Sequence, residues 1–341
     1  MTLLGIETSC DETSAGVIKT KNNKLEILSN IISSSAGLHA KTGGIIPEVA
    51  AREQISAIIP VIKEALEQAG LDFYNPKIDA IALTVGPGLI GSLLVGIETA
   101  KALSLVWNKP IIPVNHLIGH IYANFIQSPT NQNKDIEFPA LALIVSGGHT
   151  DLVLIRKHGD IKWLGGSRDD AAGEAFDKIG RMLDLPYPAG PVIEKLAEEG
   201  SAQNFSFPKP MMYSSDFDFS FSGLKASVFR EISKTALDEQ KIKDICAAVQ
   251  ESIVSVLSYK TIKAAKKYNV ASILLGGGVA ANQALTEKIK DEISKNNLIA
   301  NLFVPPKSLC TDNGAMIAAA AFYNFKDKPF AKIDADPGLY F

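Results

Sequence analysis

The chain has 341 residues, 46% apolar and 21% charged, with a formal net charge of -3 and a mean hydropathy of +0.12. That length admits two domains with sizeable cores. The balanced charge excludes a globally basic nucleic-acid binder, so any contact with nucleic acid must use a local patch or a partner's charge.

Leu3 to Glu7 reads as a short apolar strand. It leads through the small polar loop Thr8 to Ser14 into a second strand, Ala15 to Lys19. This opening has no basic start and no long apolar run, so a signal peptide is not expected. Ala80 to Ile97 is uncharged and long enough to raise the membrane question. Gly86, Pro87, Gly88, Gly91 and Gly96 divide the region instead into a buried strand (Ile78 to Val85), a tight turn and a packed helix through Lys101. A strand from Ile111 to Val114 then runs into a helix near His116.

Ala140 to Val145 repeats the opening pattern, with Ser146-Gly147-Gly148-His149-Thr150 as the hairpin tip and Leu152 to Arg156 as the return strand. Asp238 to Lys267 holds no Gly or Pro and predicts a long helix. Ala271 to Leu275 is a strand ending in Gly276-Gly277-Gly278, followed by a helix from Asn282 to Ser294, a strand from Asn301 to Val304 and a helix near Asp312. The order hairpin, helix, strand-glycine-helix, strand, helix thus occurs twice. It predicts a duplicated α/β fold of two lobes with a central cleft. The expected boundaries are a first lobe over 1–115, a connecting helix and loop over 116–138, a second lobe over 139–325 with a partly looped insert at about 165–225, and a tail over 326–341. Cys10, Cys246 and Cys310 are scattered without a Cys-x-x-Cys pair, which fits a reduced, cytoplasmic protein.

His116 and His120 are four apart, so a helix presents both imidazoles on one face, as a metal ion requires. A His-Glu-x-x-His peptidase needs a glutamate after the first histidine, and Leu117 stands there. At the equivalent place in the second repeat stands Asp312; if the halves face each other it completes a two-His-one-carboxylate set suited to Fe(II) or Zn(II). Asp312 is also a candidate helix cap, a role that competes with ligation. Asp11 and Glu12 are adjacent carboxylates in a tight turn, candidates for a general base or a substrate anchor. Ile144 to Gly148 forms the second glycine-tipped hairpin, able to offer backbone N–H groups to phosphate. Asp170, Glu174 and Asp177 are expected on one side of a helix, where acids suit ribose hydroxyls or an ammonium group. Lys260, Lys263, Lys266 and Lys267 make a basic side on the long helix, either a solvated face or a phosphodiester contact.

The segments Gly5 to Thr13, His39-Ala40 with Gly43-Gly44, Pro47-Glu48, the His116/His120 pair, Val145 to Thr150, Gly173 to Lys178, Phe219 to Lys225 and Thr311 to Gly314 together resemble the TsaD family, the tRNA threonylcarbamoyltransferases once labelled O-sialoglycoprotein endopeptidases. The resemblance covers nearly the whole chain and is to the bacterial branch. It implies the duplicated actin/sugar-kinase/Hsp70-like (ribonuclease-H-like) fold. It further implies transfer of a threonylcarbamoyl group from threonylcarbamoyl-AMP to N6 of the adenosine at position 37 of tRNAs reading codons that begin with A. It places one divalent metal, Fe(2+) or Zn(2+), on His116, His120 and Asp312. The adenylate falls to Ile144, Val145, Ser146, Gly147 and Gly148 with Asp177, Gly190 and Asn282. Where the family often has Tyr-Pro-Gly-Gly-Pro and then an Asp, this chain has Tyr187-Pro188-Ala189-Gly190-Pro191 and Glu194. Implied partners are tRNA, a shorter paralogue (TsaB) joined through the first half, a small P-loop ATPase (TsaE) and the synthase that makes the adenylate; no membrane is expected. A sugar kinase of the same fold usually has Asp where this chain has Glu7, and inactive scaffolding paralogues typically lack the histidine pair that this chain keeps.

Overall fold

The computed structural model describes residues 1–21, 24–35, 37–38, 44–127, 135–234, 237–324, 326–329 and 332–341. His39, Ala40 and Gly43 of the resemblance lie outside the described residues. The chain divides into two compact units, one of residues 1–135 with 305–341 and the other of 136–304.

Unit 1 is built on a five-stranded sheet of β1 (Thr2–Glu7), β2 (Glu12–Lys21), β3 (Lys24–Ser34), β4 (Ala80–Gly86) and β5 (Ile111–Asn115), in the order β3-β2-β1-β4-β5. β1 pairs antiparallel with β2 and parallel with β4. Alternation along β1 sends its side chains to opposite faces. Leu4 and Ile6 join Val17, Leu83, Ile62 and Ile97 in a core covered by α1 (Pro47–Gln68) and α2 (Ile90–Trp107). The uncharged stretch is therefore β4, a turn and the packed helix α2. The other face of β1 carries Gly5. Here α3 (His116–Tyr122) and α9 (Gly314–Tyr323) pack together, α9 lying on β1 and β2. A Cβ at Gly5 would sit 2.0 Å from the Gly314 carbonyl oxygen, and one at Gly16 would sit 2.4 Å from Ala315 N. Only glycine permits this approach of backbone to backbone.

That packing corrects two expected boundaries. The helix of the histidines belongs to unit 1 rather than to a connector, and the segment from Pro305 onward joins unit 1 instead of closing the second repeat. The reason is burial. α9 is apolar throughout, Gly314 to Ala321 are buried, and the glycine-faced side of β1 and β2 is where it finds cover.

Unit 2 repeats the sheet with β6 (Ala140–Val145), β7 (Thr150–Lys157), β8 (Asp160–Gly166), β9 (Ser272–Gly276) and β10 (Asn301–Phe303), ordered β10-β9-β6-β7-β8. β6 is antiparallel to β7 and parallel to β9, as β1 is to β2 and β4. The insert contributes α4 (Ala172–Met182), α5 (Ala189–Ala197) and the start of α6 (Ser222–Ile232). α7 (Glu239–Tyr268) is the long helix; Asp238 caps its first turn by accepting from Lys241 N, and Asn269 ends it in the left-handed region at φ 47°. α5 and α8 (Gln283–Lys295) pack on it.

Candidate metal centre and nucleotide-binding hairpin

α3 begins where Asn115 accepts hydrogen bonds from the N–H groups of Leu117 and Ile118, a side-chain cap that fixes the first turn. His116 and His120 then fall on one face, with ring centroids 4.7 Å apart. Asp312 sits in the turn before α9. The cap there is Asn313, which accepts from Met316 N, so the competition between capping and ligation is resolved by the next residue. Asp312 Oδ1 lies 3.2 Å from His120 Nε2 and 3.6 Å from His116 Nε2. One ligand atom from each of the three side chains falls within 4.8 Å of the others.

Sequence reasoning missed what stands behind the histidines. Glu7 is fully buried at the end of β1. Its Oε2 lies 3.0 Å from His116 Nδ1 and accepts from Thr84 Oγ1 at 2.6 Å, while its Oε1 accepts from Ser9 N. Ser9 Oγ lies 3.1 Å from the same His116 Nδ1. A carboxylate on one imidazole nitrogen fixes the ring so that the other faces the ligand point. The signal available was an acid closing an apolar strand, because a buried carboxylate needs partners.

The electrostatics follow from burial and crowding. Burial pulls the His116 pKa down, but the carboxylates of Asp312 and Glu7 outweigh it and lift the imidazole to about 9. His120 is lowered, by burial first and by His116 beside it. Burial, reinforced by Asp312 and Asp11, pushes Glu12 up to about 10. Burial and then Asp11 push the Cys10 thiol up, so it is no nucleophile at neutral pH. His120 is completely buried, and neither of its ring nitrogens makes a hydrogen bond even though Nε2 is close to Asp312. Two imidazoles and a carboxylate converging, with the deepest imidazole unsatisfied, fit a divalent cation of the iron or zinc type.

In unit 2 two glycines from other elements pack against the β6–β7 hairpin. Ser146 N donates to His149 O at 2.8 Å, closing the turn. Gly173 at the start of α4 donates to Ser146 O, and Gly277 at the end of β9, with φ 89°, packs where a Cβ would lie 2.3 Å from Val145 O. These two glycines are demanded by the chain's own packing. Gly147, Gly148 and Gly190 are different: a Cβ at each would meet nothing within 4 Å. Ile144 and Val145 are buried in the strand, while Gly147 and Gly148 are exposed.

Asp177 accepts from the N–H groups of Ala189, at 2.7 Å, and Gly190, and so holds the start of α5. Burial raises its pKa. Glu194 accepts from Gln283 N at 2.6 Å, and Asn282 caps α8 through Leu285 N while donating to Gln250 Oε1. Asp177, Glu194 and Asn282 thus tie α4, α5, α7 and α8 to one another.

Two expectations are corrected. Asp170 precedes α4 and is paired with Lys178 and Lys225 at 2.6 and 2.9 Å, and Glu174 is paired with Lys178, so these acids do not wait for a ligand ammonium. The lysines of α7 are not one solvated face either. Lys260 is fully buried, donating to Ser214 Oγ at 2.8 Å. Lys263 donates to Ser215 O, and Lys267 lies 5.3 Å from the centre of the Phe217 ring. They clamp the segment 214–217 onto the helix.

Two solved structures are similar in fold. The HypF of T. kodakarensis matches 95% of this chain and 47% of its own with a TM-score of 0.62 at 15% identity. The activator of the 2-hydroxyisocaproyl-CoA dehydratase from Clostridium difficile matches 95% of each chain with a TM-score of 0.51 at 16% identity. With the repeated sheets, they place the chain in the duplicated actin-like fold class. In sequence, the Bacillus subtilis (strain 168) tRNA N6-adenosine threonylcarbamoyltransferase is 47% identical over 343 residues, covering 99% of this chain and 95% of that protein. The family model described as TsaD, tRNA N6-adenosine threonylcarbamoyltransferase, matches residues 26–319. A likeness this long, running through both hairpins and the histidine pair, shows that the chain belongs to the tRNA N6-adenosine threonylcarbamoyltransferase family.

Proposed function

We propose that the chain transfers the threonylcarbamoyl group from threonylcarbamoyl-AMP to N6 of an adenosine in tRNA, releasing AMP. The supporting observation is the cluster of His116, His120 and Asp312 backed by Glu7, in a member of this family. His116, His120 and Asp312 hold one divalent cation, Fe(2+) rather than Zn(2+) on our reading. When bound there, that ion supplies Lewis-acid stabilisation of negative charge.

The remaining chemistry belongs to the side chains and the backbone. Adenine N6 is a poor nucleophile because its lone pair is delocalised, and it sheds a proton as it attacks. Asp11 and Glu12 share a side-chain hydrogen bond near Asp312, and on our reading Asp11 is the general base that accepts that proton. The N–H groups of Ser146 to Gly148, with Asp177, Gly190, Glu194 and Asn282 around them, hold the adenylate; open space at Gly147, Gly148 and Gly190 admits a ligand backbone approach that a side chain would block.

Partners follow the same reading. Ile55 and Ile59 on α1, with Ile90 and Leu94 on α2, are exposed apolar side chains on two helices packed together. Such a surface suits a shorter paralogue (TsaB) as a second subunit. A small P-loop ATPase (TsaE) and a synthase for the adenylate complete the cytoplasmic system. The decisive experiment is reconstitution with synthetic donor and unmodified tRNA, followed by mass analysis of nucleosides. The threonylcarbamoyl product is expected from the wild type and not from His116→Ala; no product from the metal-loaded wild type with its partners refutes the reading.

A further inference from the structure

The chain runs on past α9. Ile333, 3% exposed, anchors the last stretch in the core of unit 1, with Ala335 packed beside it. Asp336, Pro337, Gly338 and Tyr340 are exposed and lie in neither helix nor strand. The end of a chain stays in place only where specific contacts tie it down. Here those contacts converge on the surroundings of His116.

The first attachment is the turn after β4. Asp336 N donates to Val85 O at 2.8 Å, and Gly88 N donates to Pro337 O at 3.4 Å. Gly86 leaves the room for this, because a Cβ there would run into the Asp336 carbonyl and press on the Leu339 side chain. The same turn also holds the loop behind the histidine. Leu89 N donates to Ser9 O at 2.8 Å, and a Cβ at Gly88 would meet that same carbonyl. Ser9 in turn presents its Oγ to His116 Nδ1 and donates its N–H to Glu7, whose carboxylate lies on that ring nitrogen. The second attachment is Asn115. Its Oδ1 caps α3, and its Nδ2 donates to Tyr340 O at 3.4 Å. One side-chain amide thus joins the tail to the first turn of the helix that opens with His116.

We infer that residues 336–341 are a positioning strap for the metal centre: by tying the 86–89 turn to the Asn115 cap they fix the orientation in which His116 meets a divalent cation. The inference rests on the metal reading proposed above. β1, β4 and β5 are parallel neighbours that end at Glu7, Gly86 and Asn115. Past those ends the ladder no longer sets one chain segment against the next, so the three departing segments need another tie. The tail supplies it across the ends of β4 and β5. It acts through the groups that set the imidazole, Ser9 and Glu7 at Nδ1 and the backbone of the first turn of α3, while Nε2 faces Asp312. Partners of this outer kind govern how tightly a site takes its metal.

The test compares the full chain with a chain ending at Ala335. Each is freed of metal and titrated with Co(II), whose visible absorption bands report the geometry of its ligands. In competition with a chelator the shortened chain is expected to bind Co(II) about tenfold more weakly, the lower end for loss of an outer partner because Glu7 still holds the ring. Its Co(II) bands are expected to shift. Asn115→Ser is the narrower variant, since serine keeps a cap on α3 but lacks the amide that reaches Tyr340. It is expected to weaken Co(II) binding by a smaller factor. A folded shortened chain with wild-type affinity and wild-type bands overturns the inference. So does a change confined to the melting temperature, which marks the tail as packing alone. Should the shortened chain fail to fold, wild-type affinity and bands in Asn115→Ser overturn it instead. A full chain that takes up no Co(II) is a separate result, which removes the metal reading and this inference together.

Discussion

The two units use one topology but place very different residues at the same turn. In both, a strand turns back antiparallel at one end of a five-stranded sheet whose next two strands run parallel. In unit 1 the turn is Thr8 to Asp11, crowded with side chains that titrate or ligate, and Glu7 behind it reaches His116. In unit 2 the turn is Ser146 to His149, with two exposed glycines at its tip. Metal ligation suits buried imidazoles and carboxylates held close together, as in unit 1; anion binding suits backbone N–H groups with nothing in front of them. The hairpin scaffold is the same, and the residues at its tip decide whether side chains or bare backbone face outward.

The sharpest break of that comparison is removal of the unit 1 ligands. His116→Ala, His120→Ala and Asp312→Ala are each expected to abolish stoichiometric metal in elemental analysis. Transfer should fall by about a thousandfold, the equivalent of several kcal/mol of lost charge stabilisation. Full activity in any one of them assigns the cluster a structural role only. Glu7→Gln keeps the shape but weakens the carboxylate that orients His116, and about a 10–100-fold loss of metal affinity is expected in a chelator competition. An unchanged affinity says that Glu7 serves Thr84 and Ser9 rather than the imidazole.

Metal removal exposes the sign of the electrostatics. In the metal-free protein His116 titrates at about 9, above its ordinary 6.5, so the imidazole must give up a proton to ligate. Apparent affinity should therefore climb with pH by roughly tenfold per unit until about pH 9, then level off. Stability runs the other way. A raised folded-state pKa means that the folded protein binds more protons, so the His116 contribution is whole below 6.5 and lost as pH rises through about 9. Glu12, raised from 4.5 to about 10, adds a loss in the same direction over its own window. The melting temperature of the metal-free protein should fall from pH 6.5 to 9, and His116→Gln should flatten part of that fall. A flat wild-type profile contradicts the assignment.

Unit 2 separates two reasons for glycine. Gly277→Ala forces a Cβ against Val145 O from a left-handed backbone, and a loss of about 1–3 kcal/mol is expected in thermal unfolding. Gly147→Ala meets only open space, so its melting temperature should match the wild type while donor affinity drops by about tenfold, as for a blocked hydrogen bond to an anion. Equal donor binding in Gly147→Ala shows that the hairpin tip does not touch the adenylate.

Much of this was readable from residue order. The repeated strand-glycine-helix pattern predicts both sheets, and β6 runs from Ala140 to Val145 as expected. The histidine spacing predicts one helical face. The ownership of α9 was not readable: its membership of unit 1 depends on Gly5, Gly16 and Gly314 meeting across the fold, and the repeat alone assigns it to the second half. Nor does spacing reveal that Glu7 lies beneath His116, since the two are distant in sequence and meet only through the pairing of β1, β4 and β5. The charge pattern of α7 misled for a related reason. A lysine every three or four residues marks a face, but what that face meets is set by the loop folded onto it.

Those lysines give the smallest expected effect and the last sharpening of the comparison. If unit 2 meets anions through backbone N–H groups, its long basic helix should matter little for RNA. Lys266 is exposed on α7, with its Nζ on Asn296 Oδ1 at 2.6 Å. Lys266→Ala is expected to change stability by less than about 0.5 kcal/mol, the usual range for a surface substitution. It should leave the slope of log affinity against log salt for tRNA unaltered. A phosphate contact at Lys266 would instead reduce that slope by about one unit. A reduced slope, measured by titration at several salt concentrations, puts α7 in the RNA path and restores to unit 2 a cationic surface that its hydrogen bonds now deny it.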